Sequence, residues 1–318
     1  YFPSLTELMP YISIVTPTFN EEDNIEDLCT SVENIFNELK IDYEHIIIDN
    51  HSNDKTVLIV KKIIKKNNKV KLIVNNKNYG HLASPFHGIK NTTGDATILL
   101  TADFQDPPEL IPKLIKSWQN GNKITLLQKI TTEENFILKK TRNFYYWFLS
   151  KISQTNLTKN TTGSGIIDKS IVNVIKNIND PLPYLRGLLS EVGPEITLLE
   201  FNQPKRKKGY SKNNFFSLFD LALLGIIKQS KLPLRFMTIC GLTISMVSFL
   251  VAFIFLVLKL VFWNEFEIGK APVLIGLFAF SGFQILFLGL LGEYINVILI
   301  HVRNLPLVVE QERINFKD

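Results

Sequence analysis

Short runs of aliphatic and β-branched residues alternate with longer amphipathic stretches over the first hundred positions. Tyr11–Thr16, Glu44–Asp49, Val70–Val74 and Ala96–Thr101 predict strands, and Asn24–Leu39, Asp54–Lys66 and His81–Asn91 predict the helices between them. Strands that begin every 26 to 33 residues with a helix in each gap argue for a parallel sheet covered on both faces. Sheets of this kind bind ligands in the crevice beyond the carboxyl ends of their strands. Polar clusters fall at those ends: Thr16-Pro17-Thr18-Phe19-Asn20-Glu21, Asp49-Asn50-His51-Ser52 and Asp103-Phe104-Gln105-Asp106.

The pattern changes near residue 200. Phe236–Leu258 and Ala271–Gly292 are uncharged runs of 23 and 22 residues, each long enough for a helix to cross the hydrocarbon layer, which takes about 20 residues. The dozen residues between them, Lys259–Lys270, leave room for a short turn, so a membrane hairpin is expected. Lys228, Lys231 and Arg235 precede it and His301 and Arg303 follow it, which by the positive-inside rule puts both ends, and the catalytic part, in the cytoplasm. Residues 201–235 carry eight Lys or Arg against Asp220 alone. A basic belt beside a membrane attracts anionic headgroups at about 1 kcal/mol per residue. Within it, Asn213–Ser230 has the apolar spacing of a helix lying in the interface. The boundaries expected are a sheet domain over 1–204, a basic interfacial region over 205–235, the hairpin over 236–300 and a tail over 301–318.

Composition removes other classes. An apolar share of 46% with 20% charged residues is neither disordered nor collagen-like, and two cysteines, Cys29 and Cys240, make no disulfide framework. The first strand is not followed by G-x-G-x-x-G, and no G-x-x-x-x-G-K-[ST] occurs, so dinucleotide and P-loop chemistry are not indicated. The five histidines are scattered, without zinc spacing. The positive net charge of +5 is confined to the belt beside the hairpin, so no nucleic-acid partner is expected.

Seven motifs, in order, give a resemblance to a family: Thr16–Glu22, Asp49–Asp54, Asn78-Tyr79-Gly80-His81, Asp103-Phe104-Gln105-Asp106-Pro107-Pro108-Glu109, Thr162-Gly163-Ser164-Gly165, Tyr184-Leu185-Arg186-Gly187 and Gly209–Asn214. With the hairpin behind them, they resemble the family-2 inverting glycosyltransferases, and within these the membrane-bound group that transfers sugars to polyprenyl or dolichyl phosphate. The D-x-Q-D-P-P-E run is the specific one; the others persuade by their order. The resemblance implies a GT-A, Rossmann-like domain with a mostly parallel sheet, a nucleotide-sugar donor (UDP-glucose is expected), a polyprenyl phosphate acceptor in the bilayer, and Mg²⁺ or Mn²⁺. A homo-oligomer is expected as well.

Each assignment has a chemical reason. Loss of a nucleoside diphosphate leaves a charge that a divalent cation can neutralise, and Asp103 and Gln105 can both aim oxygens at such an ion. The resemblance gives them that role, and lines the donor pocket with Pro17, Phe19, Glu21, Asp49 and Ala102. Without it, Asp49 reads as a turn residue after a strand. Asp106 is a weaker candidate, because an Asp before Pro107-Pro108 can cap the helix that begins there. A phosphate monoester is largely a dianion at neutral pH and can attack without a protein base, whereas a sugar hydroxyl needs a carboxylate. Thr161–Ile167, where that carboxylate is expected, contains no acid. A dianionic acceptor needs cations instead; the resemblance puts Lys129 and Arg142 first, by their match to the family's phosphate-binding basic residues, and Arg186, Arg206 and Lys212 come next. Departures are Thr101 in place of the first acid of an Asp-x-Asp pattern and Asn50 in place of the second acid of an Asp-Asp pair. Two alternatives stay open here: a processive synthase of the same family and a non-catalytic membrane scaffold.

Overall fold

The computed structural model describes residues 10–130, 161–204, 223–228, 230, 232–261, 270–303 and 305–316. These form two units. Of the described residues, the first contains 10–130, 161–204 and 305–316, and the second contains those between 223 and 303.

The first unit is an eight-stranded sheet. Its strands are β1 Tyr11–Thr18, β2 Asp42–Asp49, β3 Val70–Asn75, β4 Ala96–Leu99, β5 Ile124–Lys129, β6 Thr161–Asp168, β7 Thr197–Phe201 and β8 Glu310–Ile314, in the order β7-β5-β6-β4-β1-β2-β3-β8. The helices are α1 Ile25–Leu39, α2 Thr56–Ile64, α3 Gly80–Lys90, α4 Ile111–Gln119, α5 Lys169–Lys176 and α6 Leu185–Val192. β1 pairs in parallel with β2 and β4, β2 with β3, and β5 with β7. β6 runs against both β4 and β5, and β8 runs against β3. The four strands and three helices expected from the pattern are present, with ends shifted by one or two residues.

Both faces of the central strands are covered, which is why they are rich in aliphatic residues on both sides rather than alternating apolar with polar. Ile47, Leu72 and Ile98 join Leu28, Val32 and Phe36 of α1 and Leu114 of α4 in one core. Their neighbours Ile46, Ile48 and Ile73 join Phe86 and Ile89 of α3 and Ile171 and Ile175 of α5 in the other. The period of two along each strand divides the side chains between these faces.

The pattern did not predict β8, whose sequence Glu-Gln-Glu-Arg-Ile is charged as an edge strand commonly is. It closes the β3 edge. Glu310 accepts from His87 Nε2 at 2.6 Å and from Arg313, and Arg313 Nη2 also donates to Asn91 Oδ1 at 2.8 Å. The side-chain Nδ2 of Asn315 donates to the carbonyls of Asn68 and Val70.

Asp168 ends β6 and caps α5, accepting from the Ser170 amide and hydroxyl, Trp118 Nε1 and Lys123 Nζ. Burial raises its carboxyl pKa, but these donors outweigh it and bring the value down to about 2. A folded-state pKa below the unfolded one adds stability above about pH 4, lost as pH falls through the folded value. Asp168→Asn is therefore expected to cost about 2 kcal/mol at pH 7. Denaturation at pH 7 and pH 3 should show roughly half of that difference gone at the lower pH.

In the second unit, α7 Leu232–Val261 and α8 Lys270–Val302 contain the two uncharged runs. Among the described residues, Phe280–Val302 is long and apolar enough to cross a membrane, and Leu232–Val247 is a shorter apolar stretch. Large apolar side chains stand exposed on both helices, among them Phe236, Leu242, Met246 and Phe253 on α7 and Phe283, Ile285, Leu288 and Ile295 on α8. Residues 223–228 are helical. The remainder of the expected interfacial helix, from Asn213 on, lies outside the described residues apart from Ser230.

Candidate functional site

The carboxyl ends of β1, β2, β3, β4 and β5 and the start of β6 share one edge of the sheet, as the pairing of Leu99 with Gly165 and of Gln128 with Thr161 requires. The loops after β1 and β2 are tied to each other there. The Asn20 amide donates to Ser52 Oγ at 2.8 Å, the Asn53 amide to Asn20 Oδ1 at 2.8 Å, and the Glu21 amide to Thr56 Oγ1 at 2.9 Å. Asn20 takes a left-handed φ of 55°, a conformation asparagine tolerates better than most residues. Pro17, Phe19 and Glu21 are partly exposed at this edge, and Glu21 Oε2 accepts from the Asn24 side chain at 2.8 Å.

Asp49 is wholly buried. Ser52 donates to it through both backbone amide and hydroxyl, and Thr18 through its hydroxyl. Burial pushes its carboxyl pKa up against the pull of those donors. These contacts are those of a turn-forming aspartate.

Asn50 shows why an amide suits this position. Its Nδ2 donates to Asn78 Oδ1 at 2.8 Å and to the Gly80 carbonyl at 3.1 Å. Its Oδ1 accepts from Asn75 Nδ2 at 3.1 Å and the Tyr79 amide at 2.9 Å. An aspartate could accept both of the latter but donate neither of the former. The asparagine thus fixes the Asn78–Gly80 turn that starts α3. The sequence marked Asn50 only as a departure, because its four partners lie 25 to 30 residues away.

After β4, exposure alternates along the turn. Ala102, Phe104 and Asp106 point inward and Asp103 and Gln105 are partly exposed, so the acid and the amide lie on the same side. Phe104 has φ 58°, and the Gln105 amide donates to Asp103 Oδ1 at 3.1 Å. Asp106 does not cap the following helix; the 3₁₀ turn Pro108–Leu110 starts at Pro107 without a side-chain cap. Instead Asp106 Oδ2 accepts from Ser164 Oγ at 2.6 Å and Thr101 Oγ1 at 3.2 Å. Burial and the nearby Asp103 charge push its carboxyl pKa up, opposed by the two hydroxyls and by Lys129. Although 161–167 contains no acid in sequence, this one is brought against it in space, across 58 residues.

Lys129 ends β5 at the same edge, within electrostatic reach of Asp106. Arg186, at the start of α6, donates through Nη1 to the Thr161 carbonyl at 3.0 Å and lies over the Tyr184 ring, 5.6 Å from its centroid. Its stem passes Gly163, which has φ 89°. His81 is close enough to feel it, its pKa lowered first by desolvation and then by the Arg186 charge. The structure thus brings Asp103, Gln105, Asp106, Lys129 and Arg186 to one end of the sheet. Arg142, Arg206 and Lys212 lie outside the described residues.

A mostly parallel sheet with an acid–amide turn and flanking cations at its carboxyl edge is a GT-A-like α/β fold. Residues 13–173 match glycosyl transferase family 2, and the chain belongs to that family. It is 34% identical over 93% of its length, and 96% of the other protein's, to the SfII prophage-derived bactoprenol glucosyl transferase of Shigella flexneri. It is 32% identical to an uncharacterized glycosyltransferase of Synechocystis, with 93% of each chain covered. Among solved structures it is similar to Mycobacterium tuberculosis glucosyl-3-phosphoglycerate synthase in complex with Mn²⁺, UDP-glucose and phosphoglyceric acid. That match has a TM-score of 0.48 at 16% identity, over 69% of this chain and 78% of the other.

Proposed function

We propose that this family-2 enzyme moves a single glucose from UDP-glucose to a polyprenyl phosphate, with inversion, at the cytoplasmic face of a membrane that α7 and α8 both span. The observation that carries this reading is the meeting of the Asp103–Gln105 turn with Lys129 and Arg186 at one sheet edge. The relatives named bactoprenol glucosyl transferase support the glucose and the lipid.

The residues at the turn suit a hard divalent cation. They offer a carboxylate and an amide oxygen, and a buried Asp106 oxygen three residues on has no hydrogen-bond partner. No cluster of three acidic, histidine or cysteine side chains occurs among the described residues, so donor phosphate oxygens would complete the ligand set. Mg²⁺ or Mn²⁺ bound there would offset the charge left on the departing diphosphate. The chain's own residues do the rest. Asp103 and Gln105 hold the ion against the strand end, and the cross-tied loops after β1 and β2 form a rigid floor for the nucleotide. Lys129 and Arg186 draw in the acceptor's phosphate and set it against an equally anionic donor, Arg186 through a planar fork that matches phosphate oxygens. No protein base is required, because the attacking phosphate is already ionised at neutral pH.

Two spans are supported by connectivity. The chain runs from β7 through α7 and α8 and back to β8 in the same sheet, which favours an even number of crossings. The apolar side chains exposed along both helices suit lipid as solvent.

The test is to incubate purified protein with radiolabelled UDP-glucose, Mn²⁺ and undecaprenyl phosphate. The expected result is label in the lipid fraction at one hexose per lipid. Label remaining in the aqueous phase with every common nucleotide sugar would refute the reading, and a ladder of longer products would replace it with a processive synthase.

A further inference from the structure

The turn after β4 carries an acid that the reaction as described leaves unused. Asp106 is only 1% exposed, and its two oxygens are treated differently. Oδ2 accepts from Ser164 and Thr101, whereas Oδ1, equally buried, has no hydrogen-bond partner. Leaving such an oxygen bare forfeits its hydration without replacing it, and buried polar atoms are very largely paired. An acid kept only to tie β6 to the turn would gain by pairing both oxygens. The neighbouring charges add to the case. Asp103 and Lys129 both act on this carboxylate, so it belongs to the electrostatic environment of the acid–amide pair. Thr101, two residues before Asp103, has a hydroxyl and no charge to offer a cation, and it spends that hydroxyl on Asp106.

We infer that Asp106 is the second acid of the cation site, its Oδ1 ligating the ion or accepting a hydrogen bond from a water on the ion while Ser164 and Thr101 hold Oδ2 in place. The inference rests on the cation-assisted reading above and adds to it a residue that acts from beneath the exposed pair. A role as general base for a sugar hydroxyl does not suit so buried a group.

Manganese binding separates these possibilities. The full-length protein in detergent is titrated with Mn²⁺ in the presence of UDP, and free Mn²⁺ is read from its electron paramagnetic resonance signal. Asp106→Asn keeps an oxygen for Ser164 and Thr101 but removes the charge. It is expected to raise the Mn²⁺ Kd at least about tenfold, with a melting temperature close to the native one. Adding Thr101→Asp to that variant is expected to recover part of the affinity. Native Mn²⁺ affinity in Asp106→Asn would overturn the inference whether or not transfer is lost. Failure of that variant to fold would make Asp106 a structural acid and overturn it too. If the native protein itself binds no Mn²⁺ with UDP, the cation-assisted reading falls as well, an outcome distinct from the other two.

Discussion

Replacing Asp103 with alanine is expected to slow sugar transfer about a thousandfold, equivalent to roughly 4 kcal/mol of barrier, while leaving the fold intact. Asp103 is partly exposed and lies beyond the end of β4, so little packing is lost with it. Under the proposed function, what is lost is a carboxylate on the exposed side of the turn, and with it the charge that would hold a divalent cation against the leaving diphosphate. Gln105 keeps its oxygen but has no charge. Interactions aimed at charge that develops in the transition state are among the largest single contributions to catalysis, and removing one commonly costs two to three powers of ten. The effect should fall on kcat, and added Mn²⁺ should restore little of it. A variant with near-native kcat would remove Asp103 from the mechanism. The same substitution separates an enzyme from a scaffold, since a scaffold's partner binding would survive it.

The second large effect is on folding. Gly165 pairs with Leu126 of β5, and a Cβ placed on it would stand 2.1 Å from the Thr125 carbonyl oxygen and 2.8 Å from the Leu126 Cα. Both are backbone atoms of a paired strand and cannot turn aside as a side chain would. Gly165→Ala must push β5 and β6 apart, at a cost of about 3 kcal/mol, or roughly 6–12 °C in Tm for a unit of this size. Its neighbour Ser164 would move with the strand, so Asp106 would lose its best donor and activity should fall further than stability alone explains. Thermal denaturation of the two proteins side by side checks the first point, and transfer rates measured well below both melting temperatures check the second. An unchanged Tm would mean that the two strands are not packed this closely.

How much of this could be read from the chain differs from element to element. Strands such as Val70–Asn75, buried on both faces, announce themselves as mostly apolar runs, and the amphipathic Ile25–Leu39 shows its spacing plainly. β6 does not, because Thr-Thr-Gly-Ser-Gly precedes its apolar end and breaks the pattern; those glycines serve the close approach to β5 and the passage of Arg186. β8 is hidden by its charges. In the turn after β4, Asp103 and Gln105 were legible as a pair because residues two apart just past a strand end fall on the same side. Asp106 ranks only as a weaker candidate from sequence, with a cap as its alternative, since its partner Ser164 is remote in sequence and nothing local reveals it. One signal was there to find: Asp106 falls in the inward phase set by Ala102 and Phe104, so a buried acid was implied. Glu44 gave no such sign, yet it is fully buried and bonded by Ser13, Lys71 and Thr93, partners drawn from three other segments.

The most direct test is to locate the ion itself. Crystals of the protein grown with Mn²⁺ and a non-hydrolysable UDP-glucose analogue, measured at the manganese absorption edge, should give an anomalous peak within ligand distance of Asp103 and the Gln105 side chain, with the diphosphate on the opposite side of the ion. A diphosphate bound elsewhere along the sheet edge, with no manganese beside Asp103, would contradict the account.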